Sequence, residues 1–137
     1  MTDFSPQRTP RTQRINELSG KVVEAAMSVH SSLGPGLLES VYEVCLHHEL
    51  EKLGLSAQAQ VPISVHYDNL ELDAGFRIDL LVESEIIVEL KSVEQLMPIH
   101  QAQLLTYLKL AGKPVGLLIN FNTVHLRDGI KRMVNHL

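Results

Sequence analysis

Cysteine is almost absent from this 137-residue chain, where Cys45 stands alone. One thiol cannot close an internal disulfide, and such sparing use fits a reducing compartment, so the cytoplasm is the expected location. Cys45 falls inside an apolar helical stretch, where a small core residue is a commoner role than a nucleophile. No apolar run approaches the ~18 residues of a spanning helix, and Met1-Thr2-Asp3-Phe4-Ser5-Pro6 lacks the apolar centre of a secretory signal. No membrane partner is therefore expected. Also missing are a Gly-rich phosphate loop and a Gly-x-Ser-x-Gly elbow. The histidines show no metal-binding spacing, and with one cysteine this argues against zinc.

Basic charge is scarce too. The net charge of −4 argues against a general nucleic-acid coat protein. The distribution is uneven, with Arg8, Arg11, Arg14 and Lys21 near the start and Arg127, Lys131 and Arg132 near the end. Such clusters either rim a phosphate-binding site or form ordinary solvated surface. An apolar fraction of 45% in a chain of this length supports one domain with a real core.

Residues 1–11, with two prolines and few apolar side chains, read as a flexible N-terminal arm ahead of a single domain over 12–137. Helical periodicity predicts a helix from about Thr12 to Ser32, stopped by Leu33-Gly34-Pro35-Gly36. A second helix, about Leu37 to Leu53, is expected to carry Leu38, Val41, Cys45 and Leu46 inward. Strands follow at about 59–67 and 70–83 around an Asp68-Asn69 turn, with Gly75 as a candidate bulge. A strand over 86–92 leads to a helix opened by Pro98 and ended by Gly112. Val115–Asn120 is almost wholly apolar, as a central strand buried on both faces would be. A short strand near 123–127 and a helix from Asp128 complete the expected elements. The order predicts a single α/β domain whose mixed sheet contains an antiparallel three-strand meander flanked by helices.

The densest chemistry lies in Arg77-Ile78-Asp79-Leu80 and Val88-Glu89-Leu90-Lys91. Both segments alternate, placing Ile78, Leu80 and Val82 on one face and Ile86, Val88 and Leu90 on one face of the next strand. A three-residue loop, Glu83-Ser84-Glu85, sets Val82 against Ile86, Asp79 against Glu89 and Arg77 against Lys91. A two-residue turn would bury Asp79 among aliphatic residues as an unpaired charge. Acids facing each other across a strand pair lie roughly 5 Å apart and repel unless bridged. A divalent cation, Mg²⁺ or Mn²⁺, is a natural bridge for two hard carboxylates, and Lys91 is placed to orient or activate a water. The competing reading is a solvated hairpin face whose acids are neutralised by Arg77 and Lys91.

Glu39 and Glu43, four apart, share one face of the second helix with Tyr42 beside them. Glu39 either serves a site outside the helix or complements the helix dipole. Gln103 and Tyr107 are also four apart, suited to a phosphate, a sugar or the lysine, or to a polar pair at the core's rim. His30 precedes the Gly-Pro-Gly break, where it either points to the site or caps the helix end.

Together these residues resemble the small bacterial GxxExxY proteins. The match rests on Val29-His30-x-x-Leu33-Gly34-Pro35-Gly36-x-x-Glu39-x-x-Tyr42, Gly75-Phe76-Arg77-Ile78-Asp79, Glu89-Leu90-Lys91-Ser92 and Gln103-x-x-x-Tyr107, across about residues 15–135. That family is placed in the PD-(D/E)XK nuclease superfamily, which implies a restriction-endonuclease-like core and hydrolysis of DNA or RNA phosphodiesters. The resemblance implies Asp79 and Glu89 as metal ligands, Lys91 as the catalytic lysine and Glu39 as the supporting acid of the N-terminal helix. Gln103, Tyr107, Tyr42, Arg77 and His30 are then candidate supporting or substrate-binding residues. Ile78 occupies the place of the superfamily's proline, and the superfamily also includes inactive binding domains. A chain this small would pair with a second copy to span a duplex, so a homodimer is a further expectation.

Overall fold

The computed structural model describes residues 9–137, and residues 1–8 of the expected arm lie outside them. Helix α1 (Pro10–Leu33) starts two residues earlier than its periodicity predicts. Thr9 explains this: its Oγ1 accepts the Thr12 N–H at 3.1 Å, and Pro10 takes a first-turn position where its missing N–H costs nothing. Helix α2 (Glu39–Lys52) follows the Gly-Pro-Gly turn. Its inward face is Tyr42, Leu46 and Leu50, all fully buried. The expected inward positions Leu38 and Val41 are exposed instead, and Cys45 is half-buried. The Tyr42 ring stacks on Phe121 at 4.4 Å between centroids and 9° between planes, which fixes the rotation of the helix.

Five strands form one mixed sheet in the order β1 (Ala57–Tyr67), β2 (Leu70–Val82), β3 (Ile86–Lys91), β4 (Val115–Asn120), β5 (Ile130–Val134). The first three make the antiparallel meander. Helix α3 (Pro98–Ala111) then carries the chain across so that β4 runs parallel to β3, buried along its whole length. Gly75 is a bulge, as its sequence context predicts. The register jumps from Ile63–Phe76 to Ser64–Asp73, and Gly75 adopts φ 77°, which a side chain would strain.

The C-terminal segment departs from expectation. Residues 126–129 form a single 3-10 turn, and 130–134 are a strand antiparallel to β4 rather than a helix. Pairing with the open edge of β4 outweighs local propensity here. Gly129 permits the approach, because a Cβ there would collide with the Asn120 carbonyl.

Helices α1 and α2 cover one face of the sheet, over Leu80, Val82, Ile86, Val88, Leu90, Val115, Leu117 and Ile119. Helix α3 covers the other, where Leu104, Tyr107 and Leu108 pack on Ile63, Ile78, Leu81, Ile87 and Leu118. Ile78 therefore does not share a face with Leu80 and Val82, contrary to simple alternation. The partner strand inverts at the same level, since Ala57 packs with the first cluster and Val61 and Ile63 with the second. The hairpin turns over where Gln60 faces Asp79. Among the described residues no helix is long and apolar enough to cross a membrane.

Candidate active site at the Asp79–Glu89 junction

The β2–β3 turn is the three-residue loop expected, with Glu83 and Ser84 at φ 51° and 56° and Val82 paired with Ile86. The ladder continues through Leu81–Ile87 and Leu80–Val88 and then stops. Beyond it the two acids replace backbone pairing with a reciprocal clasp. Glu89 Oε2 accepts the Asp79 N–H at 2.8 Å, and Asp79 Oδ2 accepts the Leu90 N–H at 2.9 Å. Each carboxylate is thus anchored by the opposite strand and held beside the other. With the ladder ended, Arg77 has no register opposite Lys91. It is exposed and donates weakly to the Gln60 carbonyl at 3.4 Å.

Burial makes this arrangement electrostatically costly. Glu89 is only 7% exposed, and desolvation followed by the Asp79 charge pushes its pKa up to about 8. Desolvation also raises Asp79, against the lowering effects of the Leu90 N–H, the Lys91 charge and a Gln60 side-chain hydrogen bond. A solvated, neutralised hairpin face does not describe such a pair. Lys91, half-buried on β3, is the cation that both acids sense.

The flanking helices contribute unequally. On α2, Glu43 is the acid that raises Glu89 and is itself raised by Asp79, though burial is the main cause of its own raised pKa. Glu39 is exposed in the first turn and interacts with Glu43. On α3, Tyr107 is 7% exposed, and burial, then Glu89, then Asp79 raise its pKa, so it lies within electrostatic reach of both acids. Phe76 packs against its ring at 6.1 Å. Gln103, one turn earlier, is exposed.

Tyr42 and His30 do other work. The Tyr42 hydroxyl donates to the Gly34 carbonyl at 2.6 Å and accepts the Leu37 N–H at 3.1 Å. It staples the turn in which Gly34 and Gly36 take φ 71° and 94°, giving the Gly-x-x-Glu-x-x-Tyr spacing a structural basis. Ser92 Oγ donates to the Leu37 carbonyl at 2.6 Å, tying that turn to the end of the Glu-x-Lys strand. His30 bonds through Nε2 to the Thr123 carbonyl at 2.8 Å and lines a separate cleft of about 430 Å³ with Ser31, His125 and Arg127. None of the acids lines that cleft. Two other clustered bases are also engaged elsewhere: Arg14 pairs with Glu85 at 3.6 Å, and Arg132 donates to Asn16 at 2.6 Å.

Sequence reasoning missed Gln60 and Asn120. Asn120, 2% exposed at the end of apolar β4, bonds Val93 through both amide atoms and fixes the chain leaving Lys91. A lone amide ending an apolar strand was the available signal.

The donor set suits a hard cation. Mg²⁺ characteristically takes one or two protein carboxylates and keeps waters or phosphate oxygens for the rest. Two crowded, desolvated carboxylates beside one lysine meet that need. Among the described residues no three His, Cys, Asp or Glu side chains converge, so the expected Asp79–Glu89–Glu39 set is not assembled.

A family model described as the PD-(D/E)XK nuclease superfamily matches residues 16–133, spanning both acids, the lysine and all of the sheet but the last residue of β5. No curated protein and no solved structure matches the chain.

Proposed function

Because the chain belongs to the PD-(D/E)XK nuclease superfamily, we propose that it is a Mg²⁺-dependent nuclease, hydrolysing phosphodiester bonds of DNA or RNA. The observation that carries this is the Asp79–Glu89 clasp with Lys91 one side chain along β3. A bound Mg²⁺, or Mn²⁺ in its place, would supply Lewis acidity at the scissile phosphate and offset the charge of the two carboxylates. Asp79 and Glu89 hold it, each oriented by a backbone N–H from the neighbouring strand. Lys91 would position the attacking water and, as the neutral amine, accept its proton, the ammonium so formed being held beside the same two acids. Tyr107 orients the phosphate or the lysine from the α3 side, with Gln103 and Arg77 at the open rim. Glu43 and, through it, Glu39 support the acids from α2. Tyr42 acts by holding the Gly-Pro-Gly turn, part of the segment through which the chain resembles the GxxExxY proteins, and His30 by tying the end of α1 to the Thr123 carbonyl. The protein works in the cytoplasm, and two copies together address both strands of a duplex.

A second reading is a catalytically inactive nuclease-fold module that binds nucleic acid or a protein partner. It is favoured by the net charge of −4 and by the lack of a third converging ligand among the described residues. A cleavage screen over single-stranded, duplex and branched DNA and over RNA, in Mg²⁺ and Mn²⁺, separates the two. Cleavage by wild type and none by Lys91→Ala supports the nuclease. Metal-independent retention of nucleic acid without cleavage supports the binding module.

A further inference from the structure

Gln60 is the residue that faces Asp79 from β1. The β1–β2 ladder passes from Ala59–Leu80 to Val61–Ile78 and omits the pair between them. At the omitted position Gln60 adopts φ 54°, a left-handed conformation inside a strand that costs a β-substituted residue energy and needs a compensating role. The inversion of both strands' faces at this level follows from it. The conformation directs the Gln60 amide at the acid site: Nε2 donates to Glu43 Oε1 at 2.7 Å, and Asp79 occupies the facing position of β2, near enough for the amide to favour its charged form. A primary amide carries two N–H donors, enough for one carboxylate each.

We infer that Gln60 is a positioning residue of the acid site, joining the α2 carboxylate Glu43 to the β2 carboxylate Asp79 so that Asp79 is held for a divalent cation. This rests on the cation-binding reading of Asp79 and Glu89. An amide suits the place because it bridges two carboxylates without adding charge. Alanine would keep the strain and lose the bridge, while glycine would lose both.

The test is calorimetric titration of the full chain with Mn²⁺ at neutral pH, for wild type, Asp79→Asn, Gln60→Gly and Gln60→Asn, alongside metal-free melting curves. Asparagine also tolerates the left-handed conformation, but its shorter amide falls short of the two acids. The expected result is Mn²⁺ binding weakened by about tenfold or more in both Gln60 variants, as for other outer partners of metal ligands. Gln60→Gly should meanwhile melt no lower than wild type, which a purely structural role would not allow. If Gln60→Gly fails to fold, Gln60→Asn decides alone. Wild-type affinity in the Gln60 variants overturns the positioning role and leaves the cation site standing. Mn²⁺ heat absent from wild type and Asp79→Asn alike overturns the cation site and this inference with it.

Discussion

Asp79 and Glu89 exchange hydrogen bonds across the end of the β2–β3 ladder: each carboxylate accepts an N–H from the other's strand, at 2.8 and 2.9 Å. Two like charges are brought together by the bonds that orient them. The proposed cation affinity and the raised pKa values of the two acids share this cause.

The pH dependence of stability follows. Glu89 rises from 4.5 to about 8 on folding, and Asp79 also rises. A carboxyl whose folded pKa lies above its unfolded one favours the fold while it is protonated. That contribution is present below about pH 4.5 and is lost as pH climbs toward 8. The metal-free protein should therefore lose on the order of a few kcal/mol between pH 5 and 8.5. Denaturant titrations at both pH values measure it, and Glu89→Gln should flatten the slope. An unchanged slope in Glu89→Gln would assign the loss to other groups.

Asp79→Asn keeps an oxygen for the Leu90 N–H and removes one repelling charge. It should stabilise the metal-free protein by up to ~1 kcal/mol and weaken the rise in melting temperature expected of wild type on adding Mg²⁺. A destabilised variant with an intact Mg²⁺ response would show that the two acids do not strain each other.

Lys91→Ala removes the one cation, among the described residues, that acts on both acids. Divalent-cation binding should persist or tighten, while cleavage falls by roughly 10²-fold or more. Loss of cation binding together with cleavage would make the lysine a structural element instead.

The two α2 acids can be ranked. Glu43 interacts with both Asp79 and Glu89, whereas Glu39 interacts with Glu43. Glu43→Gln should change Mn²⁺ affinity more than Glu39→Gln, read by the same calorimetric titration. The reverse order would return the supporting role to Glu39, as the family resemblance has it.

Tyr42→Phe keeps the stack on Phe121 but leaves the Gly34 carbonyl and Leu37 N–H without the hydroxyl. A loss of about 1–3 kcal/mol in unfolding free energy is expected. A smaller loss would mean the Gly-Pro-Gly turn holds without its staple.

Much of this was legible in the sequence. The loop Glu83-Ser84-Glu85 follows from alternation on both sides of it, and Pro98 and Gly112 punctuate α3 where local chemistry requires. The inward face of α2 was misjudged because its apolar residues run nearly all round the helix, and the Tyr42–Phe121 stack chooses among them. The last strand was hidden because a five-residue edge is specified by its partner rather than by its own pattern. Gln60 left no signal, since nothing in Ala57-Gln58-Ala59-Gln60-Val61 marks a left-handed residue. Only the tertiary pairing with Asp79 and Glu43 does so.

The cation site itself is tested most directly by anomalous diffraction from crystals soaked in Mn²⁺. The expected map places a peak between the carboxylates of Asp79 and Glu89, within ligand distance of both and beside Lys91, and that peak vanishes in Asp79→Asn. A wild-type map with no peak at those two carboxylates, or with Mn²⁺ bound only at other residues, would contradict it.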